Sequence, residues 1–468
     1  MPRERTEKND ALHRRDFLAA MSAFIGAGAL LSGCDGQRTT VRRPAPSRAG
    51  VSPPPPADVI AEPPFHPPIP SVEPTVRVRI RQVRGTETVL RIGSPDQWIR
   101  VAQAIGLPHG AALRGPLAVS HDLRGWSIVD SRGFRAAVRS GEAISLKPID
   151  TPEAGFMLGE VSNTSLSHYP GWLSLVPMSD TGPDAFDVVS HVALEMYLPG
   201  VLARELYNHW HLHTHAAQAI AARSFACSEH AYFITRRHFD LTNTQSSQAY
   251  VGSVTHARSH EAVRMTIGKV LTHDRLLVPG YYSSCCGGRA ARALDAIGPN
   301  PMNGIAPLHG RPGPCVCEKA PVYAWASTQT NAALTRRLVV FGETTRNADL
   351  ASLTTIASIV PSSVNEHGRP THYRITDQRR HVVILPAETL RRAASHTGQG
   401  LNPPERPIRS GFFEVSVTHQ DVTFRGFGFG HGVGMCQYGA ETLALRGTPY
   451  HEILKWYYPG AEIVQAYL

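Results

Sequence analysis

An α+β fold, with a β-rich N-terminal region followed by a mixed helical and strand core, is predicted from three observations. Apolar and charged residues alternate in VRVRIRQV (76–83) and TVLRIG (88–93), the period of half-buried strands. The stretch AAQAIAARSFACSEHAY has the alanine content of a helix that packs closely on its neighbours. At 468 residues and 42% hydrophobic, the chain is long enough for a well-buried core, divided into two or three folding units by the usual size of a domain.

Residues 1–34 read as an address. RRDFLAAMSAFIGAGALLSGC pairs Arg14 with Arg15, continues with an apolar run short for a membrane span, and ends at Leu31-Ser32-Gly33-Cys34. The segment resembles a twin-arginine signal peptide ending in a lipobox, although His13 precedes the pair and Ala19 stands where a lysine is common. Reading of the lipobox would leave Cys34 as an acylated N-terminus, and the alternative is an uncleaved anchor helix. Either way the expected location is outside the cytoplasm: an exported, membrane-anchored lipoprotein facing the periplasm or cell-wall space. Residues 35–75, with Pro53–Pro56 and PPFHPPIP, form a proline-rich tether, semi-rigid because proline locks φ and removes a donor.

Residues 76–185 add strand-like runs near AAVRS, AISLKPI and LSLVPM, and carry no recognisable chemistry. The core, 186–468, opens with a short apolar strand, after which Pro199 suits the first turn of a helix through GVLARELY that ends near Glu205. Thr214 is the expected N-cap of the alanine-rich helix. EAVRMTIGK reads as a helix, VLTHDRLLVP as a strand and YYSSCCGGRA as a polar turn. RITDQRRHVVILPAETLRRAAS reads as a strand followed by a helix within a poorly legible stretch, 320–400, and Thr448 with Pro449 starts a last helix.

Basic residues exceed acidic ones by nine, almost all of the excess arginine, with no basic stripe interleaved with aromatics; nucleic acid is not an expected partner. Three separated blocks carry more: LEMYLPGVLARELYNHW with AAQAIAARSFA, then YYSSCCGGR, then GFGFGHGVGMCQYGA with HEILKWYYPGAEI. Together they resemble the SpoIID/LytB family of bacterial cell-wall proteins, over about residues 76–468. The family includes sporulation lytic transglycosylases and amidase enhancers, so the resemblance implies peptidoglycan glycan strands as the polymer and a cell-wall amidase as a candidate partner. It implies Glu205 as the catalytic acid/base of a lytic transglycosylase, and Gln218, Arg223, Tyr250, Ser283, Ser284, His431 and Gln437 as substrate-binding positions. The alternative is a non-catalytic enhancer that binds glycan or an amidase.

Transglycosylation needs one carboxyl, whereas hydrolysis needs a second carboxylate roughly 5 to 9.5 Å away, for which Glu195 is the sequence candidate. Arg223 would bind sugar, hold the glutamate, or make a buried ion pair. The glycines around His431 would let backbone approach a sugar strand, or simply make tight turns. The family usually has serine where this chain has Cys436.

No cofactor is required by this chemistry. Setting Cys34 aside leaves six of the seven cysteines. Some relatives bind zinc through two cysteines before Q-x-Y, but here that segment, DLTNTQSSQAY, has none. Cys285, Cys286, Cys315 and Cys317 would make two disulfides or a structural zinc site, with disulfides favoured because CC and C-x-C are not the common zinc-knuckle spacing. The histidines of HWHLHTH, His209, His211, His213 and His215, are expected to be solvated rather than metal ligands.

Overall fold

The computed structural model describes residues 65–85, 88–102, 112–162, 165–178, 182, 184–398 and 400–468. The signal and lipobox, Cys34 included, and most of the tether lie outside the described residues. The fold is α+β, with strands in several sheets and seven helices of eight or more residues among the described residues.

The alternating strand expected at 76–83 is Thr75–Val83, whose Val76, Val78, Ile80 and Val83 point inward. It pairs antiparallel along Phe186–Ala193, with an irregularity between Arg79 and Arg81. These two strands lie within a seven-stranded sheet. A six-stranded sheet containing Leu90–Ile92, Leu117–Asp122 and Gly125–Val129 contributes to the same core. Trp126 of one sheet meets Phe186 of the other edge-on, ring centroids 4.9 Å apart.

Phe186–Ala193 runs directly into helix α1 (Leu194–Glu205). The helix starts five residues before Pro199, which sits inside it rather than in its first turn. Gly200 follows because a Cβ there would stand 2.2 Å from the Gly252 carbonyl oxygen. Helix α2 (Leu212–Phe233) is buried along most of its length, so alanine on every side is what lets α1, α3 (Ala257–Met265) and the strand Lys269–His273 approach it. Its cap is His211, whose Nδ1 accepts from the His213 N–H; Thr214 instead donates to Glu441 at 2.6 Å.

The stretch that reads poorly in sequence is an inserted module with its own core, including Leu334, Leu338, Tyr373, Leu390, Phe413 and Phe424. It contains helices α4 (Asn331–Thr345) and α5 (Ala387–Ala394) and two three-stranded sheets. The chain leaves for it at Tyr323 and returns at Gly428, whose N–H donates to the Tyr323 carbonyl at 2.7 Å. Beyond the glycine-rich segment, Met435–Cys436 pairs in parallel with Tyr282–Ser283 and leads into α6 (Gln437–Leu445). Helix α7 (Tyr450–Tyr457) follows, with Pro449 rather than Thr448 at its cap.

Candidate active site

Glu205 is the last residue of α1 and is half-buried. The Ala249 N–H donates to its Oε1 at 3.3 Å, and Gln437 Nε2 donates to its Oε2 at 3.2 Å. Gln437 opens α6, so its side chain is set by the short parallel bridge before it. From there Nε2 also reaches Gln218 Oε1 at 3.4 Å, which brings α1, α2 and α6 together at one carboxylate. Gln218 is fully buried, and its own Nε2 has no hydrogen-bond partner among the described residues.

Behind the carboxylate, Gln248 accepts from the Tyr197 hydroxyl at 3.2 Å and donates to the Tyr282 hydroxyl at 3.2 Å. Burial, with the Glu205 charge adding to it, holds both phenols well above their ordinary pKa, so both remain neutral. Gln248 and Tyr282 are the residues that the sequence reading missed. The Q-x-Y motif was a signal for Gln248, but it drew attention to Tyr250.

Tyr250 is buried against Tyr197, with ring centroids 4.6 Å apart, and packs over Gly200; it is a core residue here, not a groove residue. Arg223 also departs from the sugar-binding expectation. It is fully buried and forms a two-point ion pair with Glu195, at 2.8 and 2.7 Å, while Nη1 donates to the Lys269 carbonyl. Glu195 accepts further from Tyr467 at 2.8 Å and Gly268 at 3.3 Å, so the carboxylate considered for hydrolysis is committed to this network.

Ser283 is buried and its Oγ has no partner among the described residues, whereas Ser284 contributes its carbonyl, accepting from the Tyr438 N–H at 3.1 Å. His431 uses Nδ1 to accept from the Val433 N–H at 3.0 Å, and burial lowers its pKa to about 4, which leaves the imidazole neutral. The glycines around it allow the protein's own backbone to crowd in rather than leaving an open shelf. At Gly434, φ is 65° and a Cβ would stand 2.0 Å from the Tyr281 carbonyl.

The histidines after Glu205 are not uniformly solvated. His215 is fully buried, its Nε2 lies 3.2 Å from the Tyr207 carbonyl, and burial lowers its pKa to about 4. Among the cysteines, the sulfurs of Cys286, Cys315, Cys317 and Cys436 lie within 4.8 Å of one another, so Cys436 replaces Cys285 in the expected group of four. All six described cysteines are free thiols, with no disulfide between them.

A half-buried glutamate held by amides from two distant segments, on a helix leaving a β-rich region, coincides with the part of the chain that matches a family model. The model for stage II sporulation protein (SpoIID) covers residues 183–273, which include α1, α2 and Gln248. An uncharacterised protein of Brachyspira hyodysenteriae is 30% identical over 301 residues, 63% of this chain and 72% of that protein. The stage II sporulation protein D of Bacillus subtilis is 27% identical, over 59% of this chain and 76% of its own length. The amidase enhancer of the same organism is 26% identical over 57% of this chain, which spans 40% of that longer protein. The chain belongs to the SpoIID/LytB family of cell-wall-related proteins.

Proposed function

We propose that this chain is a peptidoglycan lytic transglycosylase in which Glu205 is the acid and then the base. The observation that carries the reading is the clamp on Glu205 by Ala249 N–H and Gln437 Nε2, while Glu195 is tied to Arg223. One carboxyl is thus oriented for work, and the neighbouring candidate for a second is already neutralised.

In the reaction, protonated Glu205 gives its proton to the glycosidic oxygen as the bond from that oxygen to C1 of N-acetylmuramic acid breaks. The resulting carboxylate takes the proton of the C6 hydroxyl as O6 bonds to C1, which forms the 1,6-anhydro ring and restores the acid. Proton and electron pair both balance without water. Gln437 and Ala249 keep the carboxylate directed at one position through both steps. Half-buried Tyr207, just beyond Glu205, offers a ring on which a sugar face can stack.

Export, with anchoring through Cys34 and a proline-rich tether, places this activity at the membrane surface in the same proposal. The second reading, a non-catalytic enhancer of an amidase, is favoured by the similarity to the Bacillus subtilis amidase enhancer. The test is incubation of the full chain, native or Glu205→Gln, with purified glycan strands bearing or lacking stem peptides, with products read by mass spectrometry. Anhydro ends from the native chain alone are expected. Reducing ends would mean hydrolysis, and strand binding without cleavage by either protein would select the enhancer.

A further inference from the structure

Four thiols from three distant segments meet at the start of α6, which Gln437 opens. Cys286 lies just beyond the strand Tyr282–Ser283, Cys315 and Cys317 precede the inserted module, and Cys436 ends the strand before α6. Their four Sγ atoms lie within 4.8 Å of one another and all four residues are buried. Cys286 and Cys317 stand 3.8 Å apart. Metal–sulfur bonds of about 2.3 Å in a tetrahedron put the sulfurs about 3.8 Å apart. A disulfide would need about 2.05 Å, within pairs rather than around a common centre.

The surroundings suit an anionic centre. Cys286 N–H donates to Cys436 Sγ at 3.4 Å, and the Tyr457 hydroxyl lies 3.3 Å from Cys315 Sγ. Arg369, 3% exposed, donates from Nη1 to the Cys286 carbonyl at 2.7 Å. Among the described residues, no carboxylate lies within 4.0 Å ion-pair distance of that guanidinium. Glu388 acts on that guanidinium from beyond contact distance, and a divalent ion bound by four thiolates, with a net charge of minus two, would add a second negative neighbour beside it.

We propose that Cys286, Cys315, Cys317 and Cys436 bind one Zn2+ as a structural centre, with their four thiol protons released to solvent on binding. Cys436 is directly followed by Gln437, so the ion fixes the start of α6 and with it the amide that meets Glu205. Only this last consequence rests on the glycan-cleavage reading; the metal site stands without it. Cys285 is the comparison residue: its thiol meets Cys317 and Cys436 but is outside the group whose four sulfurs all lie within 4.8 Å of one another, and its backbone pairs with Phe429.

The test uses the full chain purified without chelator. Zinc per chain is measured by elemental mass spectrometry, then replaced by Co2+ and the absorption spectrum recorded. The expected result is one metal per chain, a sulfur-to-cobalt charge-transfer band with intense tetrahedral visible bands, and cysteine thiols that react only after the metal is stripped. Cys285→Ser should keep the metal, and Cys317→Ser should bind it at least tenfold more weakly. The native spectrum decides the question even where Cys317→Ser fails to fold. A metal-free chain whose intact mass shows paired cysteines, a cobalt spectrum without sulfur ligation, or loss of metal in Cys285→Ser equal to that in Cys317→Ser would overturn the assignment. None of these readouts depends on glycan cleavage.

Discussion

Replacing Glu195 by alanine removes the carboxylate that neutralises Arg223 and leaves a guanidinium with 0% side-chain exposure in the middle of the core. The partner carboxylate is itself only 13% exposed, so water screens little of the pair. Two charge-assisted hydrogen bonds disappear, and Tyr467 and Gly268 lose an acceptor as well. Breaking one side of a buried ion pair costs about 3–5 kcal/mol, a large part of the roughly 5–15 kcal/mol that holds a domain folded. Equilibrium urea unfolding of the full chain, followed by circular dichroism and tryptophan fluorescence, reads this loss on the transition that includes α1 and α2. Adding Arg223→Met removes the orphaned charge, so the double variant should regain about 1 kcal/mol or more over Glu195→Ala. A loss below about 1 kcal/mol in Glu195→Ala would refute the reasoning. So would an Arg223→Met protein that keeps its stability yet cannot cleave glycan, because Arg223 would then serve the chemistry of Glu205.

Gln437→Ala should lower kcat for anhydro-product formation by about 10- to 100-fold, the effect of a hydrogen bond to a charged group, while its urea midpoint stays near that of the native chain; unchanged turnover would remove Gln437 from the site. Gly200→Ala sets helix propensity against space: the new Cβ would stand 2.2 Å from the Gly252 carbonyl and 2.8 Å from the Tyr250 ring, so a destabilisation of about 1–3 kcal/mol is expected, and a stabilised variant would contradict this packing. Acid should weaken the fold. Burial holds His191, His215 and His431 at about 4 against the ordinary 6.5, so the unfolded chain takes up protons first, and their contribution, complete above about pH 6.5, is lost as pH falls toward 4. Glu229, raised by burial to about 7, works oppositely, its contribution being complete below about pH 4.5 and lost as pH rises through 7. Three histidines against one glutamate leave a net fall on acidification, which urea midpoints at pH 7.5 and 4.5 would measure; a midpoint that rises at pH 4.5 would contradict it.

Local pattern was enough to place Glu205 at a helix end and to find Thr75–Val83, because both are written in consecutive residues. The partner of Arg223 was not legible in the same way, since Glu195 lies 28 residues away and only the packing of α1 on α2 selects it over Glu205. Adjacent cysteines could not reveal which sulfur joins the group of four. The thiols of Cys285 and Cys286 are both buried beside Cys317 and Cys436, only that of Cys286 lies within 4.8 Å of all three other members of the group, and Cys436 arrives from 150 residues away. The resemblance implies solvated histidines in HWHLHTH, but His215 follows the cap into a helix that is buried along most of its length. The inserted module was obscure because the second half of Ile356–Val364 is exposed and lacks a core-facing alternation.

The module is held at more than the ladder by which it leaves and returns. Its hairpin carries Arg369, which donates to the Cys286 and His431 carbonyls, and Asn365, which donates to the Ala290 carbonyl. A body attached only at its stem can swing, and a push on it is dissipated in rotation. With a second point of attachment under the His431 loop, the module becomes a lever, and a load on its outer surface arrives as strain between the cysteine cluster and the residues around Glu205.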